Sequence, residues 1–201
     1  MTPRPSRPRL TTLPNLLGLA RIAATPILVA LLLLPFPGGG LTAFGVFIAA
    51  ALTDYFDGRV ARARSQVTTL GVFLDLTADK VLVAGVLIAM VEVGLLPTWI
   101  VATLLIRELV VQGVRQLAAA ASVVIPARGI GKWKTFGTNL AIGVLLLAFD
   151  AQTGGPMRQL ASAATIQAIG FWLAVGAAAL ALISGGAYLR GALPILLGRE
   201  R

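Results

Sequence analysis

Four aspartates at helical spacing are the residues of this sequence best suited to chemistry. Asp54 and Asp57 are three residues apart and Asp75 and Asp79 are four apart, so each pair shares one face of a helix. If the two helices are antiparallel, both pairs point at one volume, where four carboxylates repel one another unless cations lie between them. Carboxylate oxygens suit Mg²⁺ or Mn²⁺, and four are enough for a two-metal site acting on a phosphoryl group.

The same spacing leaves other interpretations open. The aspartates could pair with nearby basic residues in an interfacial salt-bridge network that includes Arg59, Arg62, Arg64 and Lys80. They could also line a proton or cation pathway, which would make the protein a transporter. A transporter should carry acids through the whole membrane depth, whereas these four are expected near one interface. If the protein had only a structural role in the membrane, nothing would explain the spacing of the four aspartates.

Residue types that are missing narrow the chemistry further. The 201 residues include 0 Cys and 0 His. This excludes histidine bases, Ser-His triads and metal sites built on thiolates or imidazoles. Any reaction must therefore use carboxylates, lysine, arginine, hydroxyl groups or the backbone.

The elements that position these residues are predicted to be membrane helices. The chain is 57% apolar and 12% charged, whereas soluble domains carry about 25% charged residues. Mean hydropathy is +0.88. A membrane-spanning helix needs roughly 20 mostly apolar residues. We therefore predict an all-α, polytopic integral membrane protein with six transmembrane helices, at about 13–34, 41–61, 71–93, 96–121, 134–149 and 165–189.

Loop charges predict the orientation of these helices. Basic loops alternate with loops that lack an excess of positive charge. This alternation predicts an even number of spans, with both termini and the aspartates on the cytoplasmic side of the membrane. The net charge of +9 then indicates anionic lipid headgroups and substrates rather than nucleic acid. We expect basic tails at 1–12 and 191–201 around one membrane domain at 13–190, in the cell (inner) membrane. The first span is expected to be retained, since no signal-peptide cleavage site follows it.

The aspartates also belong to a longer pattern. It comprises Asp54, Asp57, Gly58, Ala61, Arg62, Gly71, Asp75 and Asp79, and it resembles the signature of the CDP-alcohol phosphatidyltransferase family at all eight positions. Three further segments resemble bacterial phosphatidylglycerophosphate synthases: Leu13–Arg21, the region of Arg107, Glu108 and Arg115, and Ile130–Thr135. The similarity runs from Leu13 into the sixth predicted span.

This resemblance implies an enzyme that transfers a phosphatidyl group from CDP-diacylglycerol to an alcohol and releases CMP. The four aspartates would hold two divalent cations, Mg²⁺ or Mn²⁺, and Asp79 would also take the proton of the attacking hydroxyl. The nucleotide would lie against Gly58, Ala61, Arg62, Thr68 and Asn15. Simpler roles also fit some of these positions: small-residue helix packing at Gly58 and Ala61, a positive-inside anchor at Arg62 and a helix N-cap at Asn15.

The acceptor alcohol implied by the resemblance is glycerol 3-phosphate. Its phosphate would be bound by Arg107, Arg115, Lys132 and Lys134, while Glu108 and Arg21 support the site. An Arg107–Glu108 pair that only locks helices together is the simpler alternative. Thr138 stands where such synthases more often have Gln, so inositol phosphate, serine or phosphatidylglycerol stay open as acceptors. Family members are typically homodimers, and we expect the same here.

Overall fold

The computed structural model describes residues 13–63, 69–120 and 130–196 of the chain. Within these ranges the protein is all helical, without a strand, as the sequence predicts. The helices are α1 (Leu13–Leu33), α2 (Gly39–Ala63), α3 (Thr69–Glu92), α4 (Thr98–Ala120), α5 (Ile130–Gln152) and α6 (Ala163–Leu196). A short 3₁₀ helix, Pro156–Gln159, lies between α5 and α6.

Three stretches in the described ranges have the length and apolarity needed to cross a membrane. They are Asn15–Leu33, Trp133–Gln152 and Ala163–Leu193. Each is at least 19 residues long, which suffices for a hydrocarbon core of about 30 Å. The apolar part of α2 is shorter, at Gly39–Thr53. This architecture is consistent with an integral membrane protein.

Several helices extend past the predicted apolar segments, and the difference is largest for α5 and α6. α5 begins at Ile130 instead of residue 134, and α6 continues to Leu196 instead of residue 189. Charged residues mark both predicted limits, Lys132 and Lys134 in α5 and Arg190 in α6. Lysine and arginine end an apolar run but are good helix formers, so the helix continues through them.

The helices pack in two groups around a shared core. α1 lies against both α2 and α3, while α6 lies against α5 and α4. Contacts between α2 and α5 join the groups, and Leu28, Phe47, Met90, Ile142 and Leu145 are almost fully buried there. In contrast, α3 packs only loosely against α4 and α5. The space left between these three helices becomes the candidate site.

One end of the bundle is fixed by Asp150, which is fully buried in the last turn of α5. Its Oδ1 accepts a hydrogen bond from the backbone N–H of Leu41 at 3.0 Å, and its Oδ2 accepts one from Met157 at 3.0 Å. The carboxylate thus joins the start of α2 to the 3₁₀ helix. The predicted fifth span ended at residue 149 and left Asp150 outside it, and this limit was wrong because α5 continues to Gln152.

Two glycines make room for this carboxylate. A Cβ atom at Gly40 would overlap the backbone nitrogen and Cα of Asp150, and one at Gly155 would overlap the carboxylate itself. Gly39 and Gly40 are the first two residues of α2, which thus begins before the predicted limit at residue 41. We call the surroundings of Asp150, Leu41 and Met157 the Asp150 end.

Candidate active site

A cavity of about 200 Å³ lies between α3, α4 and α5. Its polar lining comprises Asp79, Lys80, Glu108, Lys134, Thr135, Thr138 and Asn139, and the rest is apolar. Asp79 and Lys80 come from α3, Glu108 from α4 and the other residues from α5. The cavity thus collects polar groups from three helices that are mostly apolar.

Glu108 is the centre of a group of cations beside this cavity. Its Oε1 is 3.0 Å from Nζ of Lys80, and its Oε2 is 2.6 Å from Nζ of Lys134 and 3.2 Å from Nη1 of Arg107. We call Lys80, Arg107, Glu108 and Lys134 the cation cluster. One carboxylate against three cations leaves two positive charges in surplus, so the cluster is suited to a doubly charged anion.

Burial increases the strength of this cluster. The side chains of Lys134 and Arg107 are only 12% and 13% exposed, while those of Lys80 and Glu108 are 31% exposed. Partly buried charges are screened by salt less than surface charges are. Lys80 and Glu108 are therefore the members of the cluster most accessible to solvent.

Arg107 and Arg115, which the sequence suggested as phosphate ligands, lie toward α6. The guanidinium of Arg107 donates to the backbone oxygen of Ala181 at 3.3 Å and to Oγ of Ser184 at 2.9 Å, so it joins α4 to α6. The guanidinium of Arg115 lies 5.8 Å from the ring centroid of Tyr188, in the range of a cation–π contact. Neither arginine lines the cavity.

A second, smaller cavity of about 30 Å³ lies behind Asp79. Arg21 of α1, Ala50 of α2, Asp79 of α3 and Asn139 of α5 are among the residues that line it. Arg21 is only 3% exposed, and it lines this smaller cavity with Asp79 but does not line the larger one. Asp79 and Asn139 line both cavities.

α2 reaches this region beside a predicted metal ligand, since its Ala50 shares the smaller cavity with Asp79 of α3. Positions 50, 54 and 57 follow one another at i,i+4 and i,i+3 spacing along α2, and positions 75 and 79 are four residues apart on α3. A carboxylate such as that of Asp79 is an oxygen ligand of the kind that hard divalent cations prefer, so Asp79 fits such a cation.

Several predicted site residues lie outside the described part of the structure. Thr68 is not described at all, and the side-chain surroundings are not described for Asp54, Asp57, Gly58, Ala61, Arg62, Asp75 and Lys132. Among the side chains that are described, no three acidic residues are grouped as metal ligands. The four-aspartate site therefore stays a prediction.

Two remaining predicted residues are described. Asn15 lies in the first turn of α1 and is fully buried, and Gly71 lies in the first turn of α3. Each takes part in an interaction with its surroundings. Gly18, one turn after Asn15, faces Leu74 so closely that an added Cβ would lie 3.0 Å from the leucine Cβ. Close packing of α1 on α3 thus holds Asn15 near the segment that begins at Gly71.

Sequence reasoning missed two residues of the cavity. Lys80 was considered only as a partner of the aspartates, whereas the structure pairs it with Glu108. Asn139 was not considered at all. The available signals were that Lys80 directly follows Asp79, and that Asn139 is one turn after Thr135 in a mostly apolar helix. Neither signal identifies a partner on another helix.

Comparisons with known proteins show which family the chain belongs to. The model of the CDP-alcohol phosphatidyltransferase family matches residues 11–183. The CDP-diacylglycerol–glycerol-3-phosphate 3-phosphatidyltransferase of Bacillus subtilis is 40% identical over 147 residues, covering 67% of this chain and 76% of the relative. The enzyme with that name in Cereibacter sphaeroides is 32% identical over 214 aligned positions, covering 92% of this chain and 97% of the relative.

A third relative has a different name. The cardiolipin synthase (CMP-forming) of Oryza sativa subsp. japonica is 35% identical over 162 residues, covering 74% of this chain and 49% of the relative. The family match spans the helices that carry the aspartates, the cation cluster and both cavities. The chain is therefore a member of the CDP-alcohol phosphatidyltransferase family and an enzyme of that class.

Proposed function

We propose that this enzyme transfers the phosphatidyl group of CDP-diacylglycerol to sn-glycerol 3-phosphate, giving phosphatidylglycerophosphate and CMP. The names of the Bacillus and Cereibacter relatives support this reaction. The observation that carries it is the cation cluster beside Asp79 on one cavity. Such a cavity suits an acceptor that has a phosphate at one end and a hydroxyl at the other.

In the proposed step, an acceptor hydroxyl attacks the phosphorus of the phosphatidyl group. A new oxygen–phosphorus bond forms, and the bond from that phosphorus to the phosphate oxygen of CMP breaks. CMP leaves with the electron pair, and the hydroxyl proton goes to the carboxylate of Asp79. Asp79 suits this role because it lines the cavity that would hold the acceptor and because the sequence contains no histidine.

Divalent cations complete the proposal. The family generally depends on them. Asp54, Asp57, Asp75 and Asp79 would hold two cations, Mg²⁺ or Mn²⁺, which would neutralise the diphosphate and lower the pKa of the attacking hydroxyl. The nucleotide would bind near Asn15, Gly58, Ala61, Arg62 and Thr68, with Gly71 and Arg21 in support.

The acceptor phosphate is assigned to the basic residues of α4 and α5. They are Arg107, Arg115, Lys132 and Lys134. Lys134 lines the cavity, and the guanidinium groups of Arg107 and Arg115 lie toward α6. A phosphate monoester carries about −1.5 to −2 charges at pH 7, close to the surplus of the cation cluster. Phosphatidylglycerol, a phosphodiester with a single negative charge, would use this surplus less well. This argument favours glycerol 3-phosphate over the acceptor implied by the rice relative.

We place this reaction at the cytoplasmic face of the cell (inner) membrane. The alternation of basic loops supports six spans with both termini inside, and the exposed apolar side chains, such as Leu109 and Trp172, suit contact with lipid. The homodimer expected from the family resemblance belongs to the same proposal.

The reaction is tested by CMP release from detergent-purified protein supplied with CDP-diacylglycerol, Mg²⁺ and a series of acceptors. We expect release that requires glycerol 3-phosphate and that falls by at least about 10³-fold in Asp79→Asn, which keeps the shape of the side chain. Asp150→Asn is the matched control, since it makes the same change in a carboxylate outside the cavity. It should keep its turnover per folded molecule.

Two results would contradict the proposal in different ways. Release with another acceptor, such as inositol phosphate, serine or phosphatidylglycerol, would keep the mechanism and overturn the assignment of the acceptor. Asp79→Asn with full turnover would overturn the role of Asp79.

A further inference from the structure

Asn139 is a polar residue of this region that the proposed reaction leaves without a role. It lies on α5, one turn after Thr135 and five residues after Lys134. It lines both the 200 Å³ cavity and the 30 Å³ cavity, as Asp79 does. Asn139 and Asp79 are thus placed on different helices at the boundary between the two cavities.

The side-chain oxygen of Asn139 is buried, and it has no hydrogen-bond partner among the described residues. Leaving a buried acceptor unsatisfied is costly, so such an atom is expected to meet a water molecule or a ligand. Thr138 shows the contrast, because its hydroxyl donates to the backbone oxygen of Lys134 at 3.0 Å within the same helix. Of these two adjacent polar side chains, only that of Thr138 finds a hydrogen-bond partner within its own helix.

The residues that line the larger cavity indicate which group of the acceptor would lie next to Asn139. Lys80 and Lys134 mark the place for a phosphate, and Asp79 marks the place for the hydroxyl that loses its proton. Glycerol 3-phosphate has one further polar group, the secondary hydroxyl, on the carbon between those two ends. A hydroxyl at that point needs an acceptor of hydrogen bonds, and the oxygen of Asn139 needs a donor.

We propose that Asn139 binds the secondary hydroxyl of the acceptor alcohol and thereby selects an acceptor with two neighbouring hydroxyl groups. This inference rests on the proposed function, because it assumes a phosphorylated alcohol in the larger cavity. Asn139 acts as a specificity-determining residue: it holds the middle of the acceptor while the cation cluster holds the phosphate. The reacting hydroxyl is then directed at Asp79.

The test compares two acceptors on the purified enzyme with CDP-diacylglycerol and Mg²⁺. One is glycerol 3-phosphate, and the other is 3-hydroxypropyl phosphate, which lacks only the secondary hydroxyl. We expect the wild type to favour glycerol 3-phosphate by about 10- to 100-fold in kcat/KM. In Asn139→Leu, which removes the amide and keeps the approximate volume, this preference should fall to about twofold.

Comparing the activity that Asn139→Leu loses with each acceptor distinguishes a role of Asn139 in recognition from a structural role. We expect Asn139→Leu to lose activity with glycerol 3-phosphate while its activity with 3-hydroxypropyl phosphate stays within about twofold of the wild type. Thr103→Val is the control, since Thr103 lies outside both cavities and its hydroxyl donates to the backbone oxygen of Trp99 at 2.8 Å within α4, and it should keep the wild-type preference. An equal loss with both acceptors in Asn139→Leu would overturn the inference, because it would show that Asn139 holds a water or a helix contact.

The wild type alone provides a second test if Asn139→Leu does not fold. Equal kcat/KM values for the two acceptors would overturn the inference without any variant. Failure of the proposed function gives a different result, namely no CMP release that depends on glycerol 3-phosphate. Release that depends on glycerol 3-phosphate, with a preference that Asn139→Leu leaves intact, would overturn only the role of Asn139.

Discussion

Glu108 and Asp150 are two acidic residues that each hold several elements of the bundle together, but they do so with different partners. Asp150 is fully buried and accepts hydrogen bonds from two backbone N–H groups. Glu108 is partly exposed and meets three cationic side chains next to a cavity. The backbone N–H groups that bind Asp150 are held in place by the fold. The lysine side chains that contact Glu108 can also bind an anionic ligand.

The surroundings of the two carboxylates differ in the same way. Gly40 and Gly155 press against Asp150 so closely that neither can take even a methyl group without a shift of its surroundings. Around Glu108 the helices are loosely packed and leave about 200 Å³. We conclude that Asp150 serves stability and Glu108 serves the site, and the four predictions below test this division.

The largest effect is expected for Gly40→Ala at the Asp150 end. The added Cβ would overlap backbone atoms of Asp150 and Leu146, and these can move only if α2 shifts away from α5. We expect a loss of about 3 kcal/mol in unfolding free energy, seen as a drop of about 6–12 °C in thermal unfolding in detergent. Gly45→Ala, on the same helix with nothing within 4 Å of the added atom, is the control and should lose nothing.

Asp150→Asn should have the next largest effect. The amide keeps the size of the side chain but removes the charge that the N–H groups of Leu41 and Met157 bind. We expect a loss of about 2 kcal/mol, measured by thermal unfolding, because hydrogen bonds to a charged group are the stronger ones. The KM for glycerol 3-phosphate should stay unchanged. A rise in that KM would contradict the division between the two ends.

Glu108→Gln should show the opposite pattern. Without the charge, Lys80, Arg107 and Lys134 repel one another and lose their fixed positions beside the cavity. We expect kcat/KM for glycerol 3-phosphate to fall about tenfold, or about 1.4 kcal/mol, and thermal unfolding to change less than in Asp150→Asn, because the Glu108 side chain is 31% exposed whereas Asp150 is fully buried. Glu92→Gln, at an exposed acid, is the control. Large destabilisation with normal kinetics would mean that Glu108 is a structural residue like Asp150.

The smallest effect is expected for Tyr188→Leu. This change removes the ring under Arg115 and should cost about 0.5–1 kcal/mol of stability, the usual range of an exposed cation–π contact. Tyr188→Phe keeps the ring and should match the wild type. The KM for glycerol 3-phosphate should change by less than about twofold. A change of tenfold would show that the orientation of Arg115 determines acceptor binding.

The sequence predicted the helices well because their apolar length is a local property. All six predicted segments are helices, and the errors lie at their ends, where Lys132 and Arg190 were taken as limits. Asp150 was misplaced for the same reason, since a carboxylate near Gly154 and Gly155 suggests a loop. Only its distant partner, the N–H of Leu41 109 positions away, shows why a charge is buried there.

The site was predictable only where spacing along one helix carries the information. The i,i+4 relation of Asp75 and Asp79 and the presence of Glu108 and Lys134 can be read from the chain. The link from Lys80 to Glu108 and the position of Asn139 beside Asp79 depend on how α3, α4 and α5 are spaced. Such contacts depend on tertiary packing, which a single sequence does not encode locally.

The cation cluster also has a consequence for the entropy of binding. A lysine side chain loses up to about 2 kcal/mol of conformational freedom when it is fixed in one position. Because Glu108 already restrains Lys80 and Lys134, much of this loss occurs when the protein folds. An arriving acceptor then meets ordered side chains, and affinity gained by such preorganisation depends on the fit of the ligand. The enzyme is therefore expected to discriminate sharply among phosphorylated alcohols.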